Sequence, residues 1–278
     1  MRIIEIHKSL WAAENIPTEY TAFKMLSRQQ YNIPQCYIAA PWSVLINRGY
    51  LIQSRARRNL DFNKVANNAF TICQHISYEK IIPLLMQIGI TTLFTPHAID
   101  KDYPITVYPF PHYAANGILP QRKKLLCSFI GCLHTHNIRS IMYKVAPESP
   151  DIVMIGRKRW HYEMRDQEER EFEYKNVLAK SKFSLCPRGT GPSTIRFWES
   201  LMAGAIPVLI SDTMMLPREW DWDNTIVRIP ESDTQYWPQI IDSIPDSKVE
   251  VMRLKCLSAY EAYSAKNFDK YVLEYIGA

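Results

Sequence analysis

The 278-residue chain has no run of the roughly 18 uninterrupted apolar residues that a bilayer-spanning helix requires. Its longest greasy segment, Ile81–Phe94, is broken by Pro83, Gln87 and Gly89. The opening MRIIEIHKSLWAAENIPTEY has too short an apolar run for a secretory signal, and polar residues interrupt it early. No C-x-x-C pair exists among the six cysteines, Cys36, Cys73, Cys127, Cys132, Cys186 and Cys256, so no structural zinc site is expected. Reduced core thiols in a cytoplasmic, reducing compartment are expected instead. Repeats and low-complexity tracts are lacking, as is a D-x-D cluster in a suitable strand–loop setting, so no dedicated metal is expected. Positive charge is thin: the net charge is +5, and only Arg55, Arg57 and Arg58 cluster. That falls short of a nucleic-acid footprint, and at most favours an anionic ligand or peripheral contact with the inner face of an acidic membrane.

What is present is core-forming sequence, 47% hydrophobic and 22% charged, in short β-rich runs that alternate with helical stretches. The pattern predicts strands at Arg2–Ile6, Cys36–Ala40, Phe70–Gln74, Thr91–Thr95 and Ile105–Tyr108, with helices around Tyr20–Gln30 and Tyr78–Ile88, the latter stopped by Gly89. A second series follows: strands at Leu125–Gly131, Asp151–Gly156, Lys182–Cys186, Ile206–Ile210 and Thr225–Ile229, and helices at Ile138–Tyr143, Glu168–Lys180 and Ser193–Ala203. Two doubly wound sheets are expected, an N-terminal domain over 1–118 and a C-terminal domain over 119–278. The turn chemistry of Asn116-Gly117 and Pro120 joins them, and helices after Ser247 cross back. The acidic run Asp166–Glu173 reads as the solvated face of a helix.

In open α/β sheets ligands sit at the carboxyl ends of strands. The most informative segment is SKFSLCPRGTGPSTIRFWESLMAGAIPVLISDTMMLP, Ser181–Pro217. A buried strand runs into Arg188, Gly189, Thr190 and Gly191, and a helix begins at Ser193 or Thr194, with Ser193 a fair N-cap. Small residues, N–H groups at a helix start and a fixed cation are what a pyrophosphate needs. Arg196 on the first turn adds a second forked donor. Glu199, three residues on, can accept both hydroxyls of a ribose. The bland alternative is a strand–turn–helix whose Arg196 and Glu199 form a surface ion pair.

The run SKFSLCPRG, then STIRFWESLMAGAIPVLISD and Leu216-Pro217, resembles the signature of the exostosin family of glycosyltransferases. LLCSFIGCLHTHNIR at Leu125–Arg139 resembles the opening of that family's donor domain. The resemblance spans Leu125–Ile229; the first 115 or so residues match only loosely. It implies the GT-B fold, two Rossmann-like domains facing each other across a cleft, in a short soluble type of bacterial or viral kind. It also implies inverting, metal-independent transfer from a nucleotide sugar, usually UDP-linked, to a hydroxyl of a glycan or lipid-linked glycan, with no cofactor. Arg188 and Arg196 become phosphate contacts and Glu199 the ribose ligand. Gly131, Arg139 and the loop Gly189, Thr190, Gly191, Ser193 and Thr194 complete the donor site.

An inverting transfer needs a base. Three histidines follow predicted strands: His75, taken as the base, His97 in reserve, and His112, placed with Trp42 on the acceptor. Asp61, Asp100 and Asp102 are carboxylate alternatives, while His134 and His136 lie near the donor. Two competing readings remain: a GDP-sugar-dependent, fucosyltransferase-like enzyme, and a catalytically silent sugar-nucleotide-binding module.

Overall fold

A computed structural model describes residues 1–11, 16–28, 30–49, 67–114, 117–158 and 166–277. The chain divides into two compact units. The first is Met1–Tyr113 with Met214–Arg218 and Tyr263–Ala278; the second is Ala114–Thr213 with Glu219–Ala262. Two parallel α/β sheets in one chain are the architecture that the sequence pattern calls for.

The first unit holds β1 (Arg2–Glu5), β2 (Cys36–Ala39), β3 (Ala69–Ile72), β4 (Ile90–Thr95) and β5 (Thr106–Pro109), all parallel. Its helices are α1 (Pro17–Leu26), α2 (Trp42–Asn47) and α3 (Ile82–Gln87). The strands lie in sequential order β1-β2-β3-β4-β5. A doubly wound sheet was expected, but among the described residues each new strand adds to the same edge and the order does not reverse. β2 and β3 are buried at every position, as strands covered on both faces should be. Side chains alternate across the sheet. Ile38, Leu93 and Val107 join Trp42, Leu45 and Leu85 on one face. On the other, Tyr37 stacks on Phe70 at 5.0 Å and Phe70 meets Phe94 edge-on. The final helix, α9 (Phe268–Ile276), covers that aromatic face with Tyr271 and Tyr275 and touches α1.

The second unit holds β6 (Leu125–Cys132), β7 (Ile152–Arg157), β8 (Ser181–Pro187), β9 (Ile206–Ile210) and β10 (Val227–Arg228). Its helices are α4 (Asn137–Lys144), α5 (Gln167–Lys180), α6 (Ile195–Met202), α7 (Trp237–Asp242) and α8 (Asp246–Tyr263), whose last residue belongs to the first unit. The order β10-β9-β8-β6-β7 reverses between β6 and β8, which makes their carboxyl ends a topological switch point. Helix α6 buries Phe197, Trp198, Leu201 and Met202, with Trp222 against Phe197 and Trp198. It stops at Gly204, whose φ of 58° suits glycine, and whose missing Cβ leaves room for Leu257. At the amino ends of the strands, the Lys123 ammonium donates to the Ala179 and Ala203 carbonyls at 2.9 and 2.7 Å. One cation thereby binds the carboxyl ends of α5 and α6. All six cysteines are buried and unpaired. Among the described residues, no helix is long and apolar enough to cross a membrane.

Candidate functional site

Three arginines gather where β6 and β8 end. Arg139, on the first turn of α4, is buried and spends its guanidinium on carbonyls: Nε donates to Arg188 O at 2.8 Å, Nη1 to Cys132 O at 2.9 Å and Nη2 to Pro187 O at 3.2 Å. With three of its five N–H donors it therefore ties the two strand ends together. Burial, and then the nearby Arg196 charge, lower its pKa to about 10.

Arg196 has no carboxylate partner within ion-pair distance among the described residues. Its Nη2 donates to Ile130 O, and its guanidinium carbon lies 4.7 Å from the Phe129 ring centroid and 5.0 Å from that of Tyr174. Gly131 makes this placement possible, since a Cβ there would stand 2.8 Å from Nη2 and 3.2 Å from Phe129 Cζ. The expected alternative, a surface ion pair of Arg196 with Glu199, is not what forms. Glu199 is 9% exposed, and its Oε2 accepts from the Tyr174 hydroxyl at 2.5 Å. Burial raises the carboxyl's pKa, opposed by the Tyr174 hydrogen bond and then by the charges of Arg196 and Lys175.

Arg188 is held in place by its amide, which donates to Ile210 O, and by a 3.4 Å ion pair of Nη1 with Glu231. Its Nε is buried with no partner. Two further buried groups without partners among the described residues lie in the same pair of loops, Thr135 Oγ1 after β6 and Ser193 Oγ after β8. Leaving such a group unpaired costs about 1–3 kcal/mol, and here three of them lie close together. Gly189 lets these loops close up, because a Cβ there would meet Arg139 Nη2 at 3.2 Å and Thr135 Oγ1 at 3.5 Å. Thr190 is exposed and Gly191 buried. The helix N-cap is Thr194, in extended conformation and without a side-chain cap bond, so Ser193 is not the cap. His136 caps α4, accepting from the Ile138 amide at 3.4 Å, while His134 is exposed.

In the first unit the expected acceptor-side residues fare differently. Trp42 is fully buried, with Nε1 donating to Thr71 Oγ1 at 2.7 Å, so it is a core residue with no face for a sugar. His75 uses both ring nitrogens: Nε2 meets Asn47 Oδ1 and Nδ1 accepts from the Ser77 amide, each at 2.9 Å. Both ring nitrogens, among them the one expected to serve as base, are thus engaged by neighbouring residues. His97 is 6% exposed, its Nδ1 has no partner, and its ring meets His112 edge-on at 5.2 Å. Burial lowers its pKa to about 4, helped by His75 and opposed by the Gln74 carbonyl. His112 is buried against His97, with a pKa lowered well below the ordinary value by burial and then by His97. Asp100 and Asp102 are exposed; Asp61, Arg55, Arg57, Arg58 and Asn116 lie outside the described residues.

Two participants escaped the sequence reading. Tyr174 sits in the helix read as a solvated face, although its spacing of four from the buried Leu178 marks the inner stripe. Glu19, on α1, is 1% exposed at the carboxyl ends of β2 and β3. Its Oε1 accepts from the Ser43 hydroxyl (2.7 Å), the Gln74 amide (2.8 Å) and the Ser43 amide (3.2 Å). Gln74 Oε1 returns the contact, accepting from the Thr18 and Glu19 amides at the start of α1. Burial pushes the Glu19 carboxyl up to about 7 against these bonds.

A chain of two parallel α/β units, one with its switch point lined by cations and glycine, has the parts of the GT-B class. Residues 65–244 match the exostosin GT47 domain, and the chain belongs to that family. Exostosin-1 of Drosophila melanogaster is 29% identical over 202 residues, covering 65% of this chain and 26% of that protein. A probable beta-1,4-xylosyltransferase, IRX10L of Arabidopsis thaliana, is 27% identical over 202 residues, 65% of this chain and 46% of its own length. The exostosin-1 homolog of Caenorhabditis elegans is 29% identical over 161 residues, 52% and 42% of the two chains. The chain thus spans less than half the length of these relatives. Anabaena Alr3699/HepE, solved in complex with UDP and glucose, aligns with a TM-score of 0.46 at 10% identity, over 92% of this chain and 81% of that one.

Proposed function

We propose that this chain is an inverting glycosyltransferase, taking its sugar from a UDP-linked donor and passing it to a hydroxyl of a glycan or lipid-linked glycan. The observation that carries the reading is the arginine cluster at the β6–β8 switch point, with the unpartnered Arg188 Nε, Thr135 Oγ1 and Ser193 Oγ beside it. These groups suit a diphosphate. Arg196 and Arg188 would contact its oxygens while Arg139 holds the strand ends in register beneath. Glu199 would take the ribose.

In the reaction the acceptor oxygen bonds to the anomeric carbon as the bond from that carbon to the diphosphate oxygen breaks. The departing negative charge is met by guanidinium groups already in place, so no metal is needed for that role. The acceptor proton goes to a base, and His97 is the candidate: burial keeps it neutral at physiological pH, and its Nδ1 meets no hydrogen-bond partner among the described residues.

The test is calorimetric titration with UDP, GDP and CMP, followed by UDP-release assays with UDP-xylose, chosen because a relative is named for xylosyl transfer. UDP should bind, in EDTA as well as without it, and Arg196→Ala should weaken it by about 1.5–3 kcal/mol, roughly 10- to 150-fold. Binding of GDP alone would move the chain to the GDP-sugar reading. Tight UDP binding without release or transfer would leave a silent binding module. His97→Gln should lower turnover and leave UDP affinity unchanged.

A further inference from the structure

We infer that Tyr174 sets the specificity of the second unit for a ribose diol, by anchoring one Glu199 oxygen and leaving the remaining lone pairs to two ribose hydroxyls. This rests on reading that unit as a nucleotide site. Three observations on neighbouring helices carry it. The Tyr174 hydroxyl on α5 donates to Glu199 Oε2 at 2.5 Å. The same ring lies under the Arg196 guanidinium, 5.0 Å from its carbon. Glu199 and Arg196 occupy one stripe of α6, three residues apart, and do not pair with each other.

The chemistry follows from lone pairs. An ionised carboxylate offers about four acceptor sites. One phenol uses one of them, and the geometry of that bond fixes the plane in which the others point. A cis-diol, with two donors on adjacent carbons, matches what is left; a 2′-deoxyribose supplies one donor fewer. A site with an unmatched buried carboxylate lone pair then disfavours the deoxy ligand. The phenol has a second effect. Glu199 is pushed toward its neutral form by burial and by Glu171, and held ionised by Tyr174, Arg196 and Lys175. Lys175 also pairs with Glu171 at 2.6 Å on α5. The phenol itself, raised well above its ordinary value by burial and by Glu199, stays the donor at every accessible pH. Removing the hydroxyl therefore frees the Glu199 plane and lets the carboxyl take a proton more readily.

Titration calorimetry with UDP, 2′-deoxy-UDP and inorganic pyrophosphate, on the full chain and on Tyr174→Phe and Glu199→Gln, tests the idea. The wild type should prefer UDP over 2′-deoxy-UDP about tenfold or more. Tyr174→Phe should lose most of that preference, while pyrophosphate binds as in the wild type because Arg196 and its ring are kept. Unchanged pyrophosphate affinity also shows that the variant is folded. If Glu199→Gln abolishes the preference and Tyr174→Phe does not, the inference on Tyr174 is wrong and the nucleotide site stands. If the wild type binds UDP but does not discriminate, the ribose role of Glu199 fails together with the inference. If no uridine nucleotide binds at all, the reading of the whole site is overturned.

Discussion

Replacing Glu19 by glutamine removes a buried charge while keeping its best acceptor. Glu19 Oε1 receives the Ser43 hydroxyl and the Ser43 and Gln74 amides, and Oε2 a 3.3 Å contact from the Ser43 amide, so an amide oxygen can stand in place of Oε1. Burial moves the carboxyl from 4.5 in the unfolded chain to about 7 in the fold. The folded state therefore holds a proton that the unfolded state has lost throughout that window. Stability from this group is complete below pH 4.5 and declines as pH rises to about 7. Each tenfold step in proton affinity is worth about 1.4 kcal/mol, so the whole decline is about 3 kcal/mol. Glutamine does not titrate, so the difference between wild type and Glu19→Gln should tilt by that amount in favour of the variant between pH 4 and pH 8. His97 and His112 titrate in both proteins with the opposite sign and cancel in the difference. Because two units need not unfold together, hydrogen exchange in urea, followed on peptides from β2 and β3, is the proper assay. A difference that stays flat with pH would show that Glu19 is ionised in the fold at ordinary cost, and would refute the argument from burial.

Other perturbations separate structure from binding in the same way. Gly131→Ala should displace the Arg196 guanidinium, which its Cβ would approach to 2.8 Å, and weaken UDP several-fold by calorimetry with little change in melting temperature. Trp42→Phe breaks the bond to Thr71 and should cost about 1–2 kcal/mol in urea unfolding with kcat retained; a loss of kcat at full stability would return Trp42 to the acceptor. Lys123→Met removes a cation whose pKa burial lowers from 10.5 to about 8. The folded state binds fewer protons there, so wild-type stability should rise from pH 8 toward 10.5 and the variant's should not; parallel curves would refute it.

The elements were legible because their signals are local. The predicted strand Ile206–Ile210 is found with those bounds, and the other nine strands fall within two residues of expectation at either end. Gly89 has the positive φ, 92°, expected of a helix stop. Helix α2 was missed because a six-residue helix that opens on Trp-Ser after a proline carries too short a period to register. The unreversed strand order of the first unit was illegible for a different reason: alternation of strands and helices is the same whether each strand is added at one edge or at both. Order is decided by which faces find partners, and here α9, from the far end of the chain, covers the aromatic face of Tyr37, Phe70 and Phe94.

The candidate site divides along the same line. Arg188, Gly189, Arg196 and Glu199 could be singled out because one strand, one turn and one helix deliver them together, and a buried helix with two charges has to explain both. Their roles could not be ranked, since rank depends on atoms contributed from afar. Arg139 and Arg196 look alike in sequence, each an arginine on the first turn after a strand. Three carbonyls at the strand ends consume the first, whereas a glycine and two aromatic rings leave the second unneutralised. A guanidinium satisfied by backbone carbonyls keeps its charge but has few donors to give, so it can bias a site electrostatically without gripping a ligand. Titration of UDP into Arg139→Lys and Arg196→Lys distinguishes the two kinds of cation. Lysine at 196 keeps the charge and loses the fork, and should cost affinity alone. At 139 it should uncouple β6 from β8, and cost melting temperature as well as affinity.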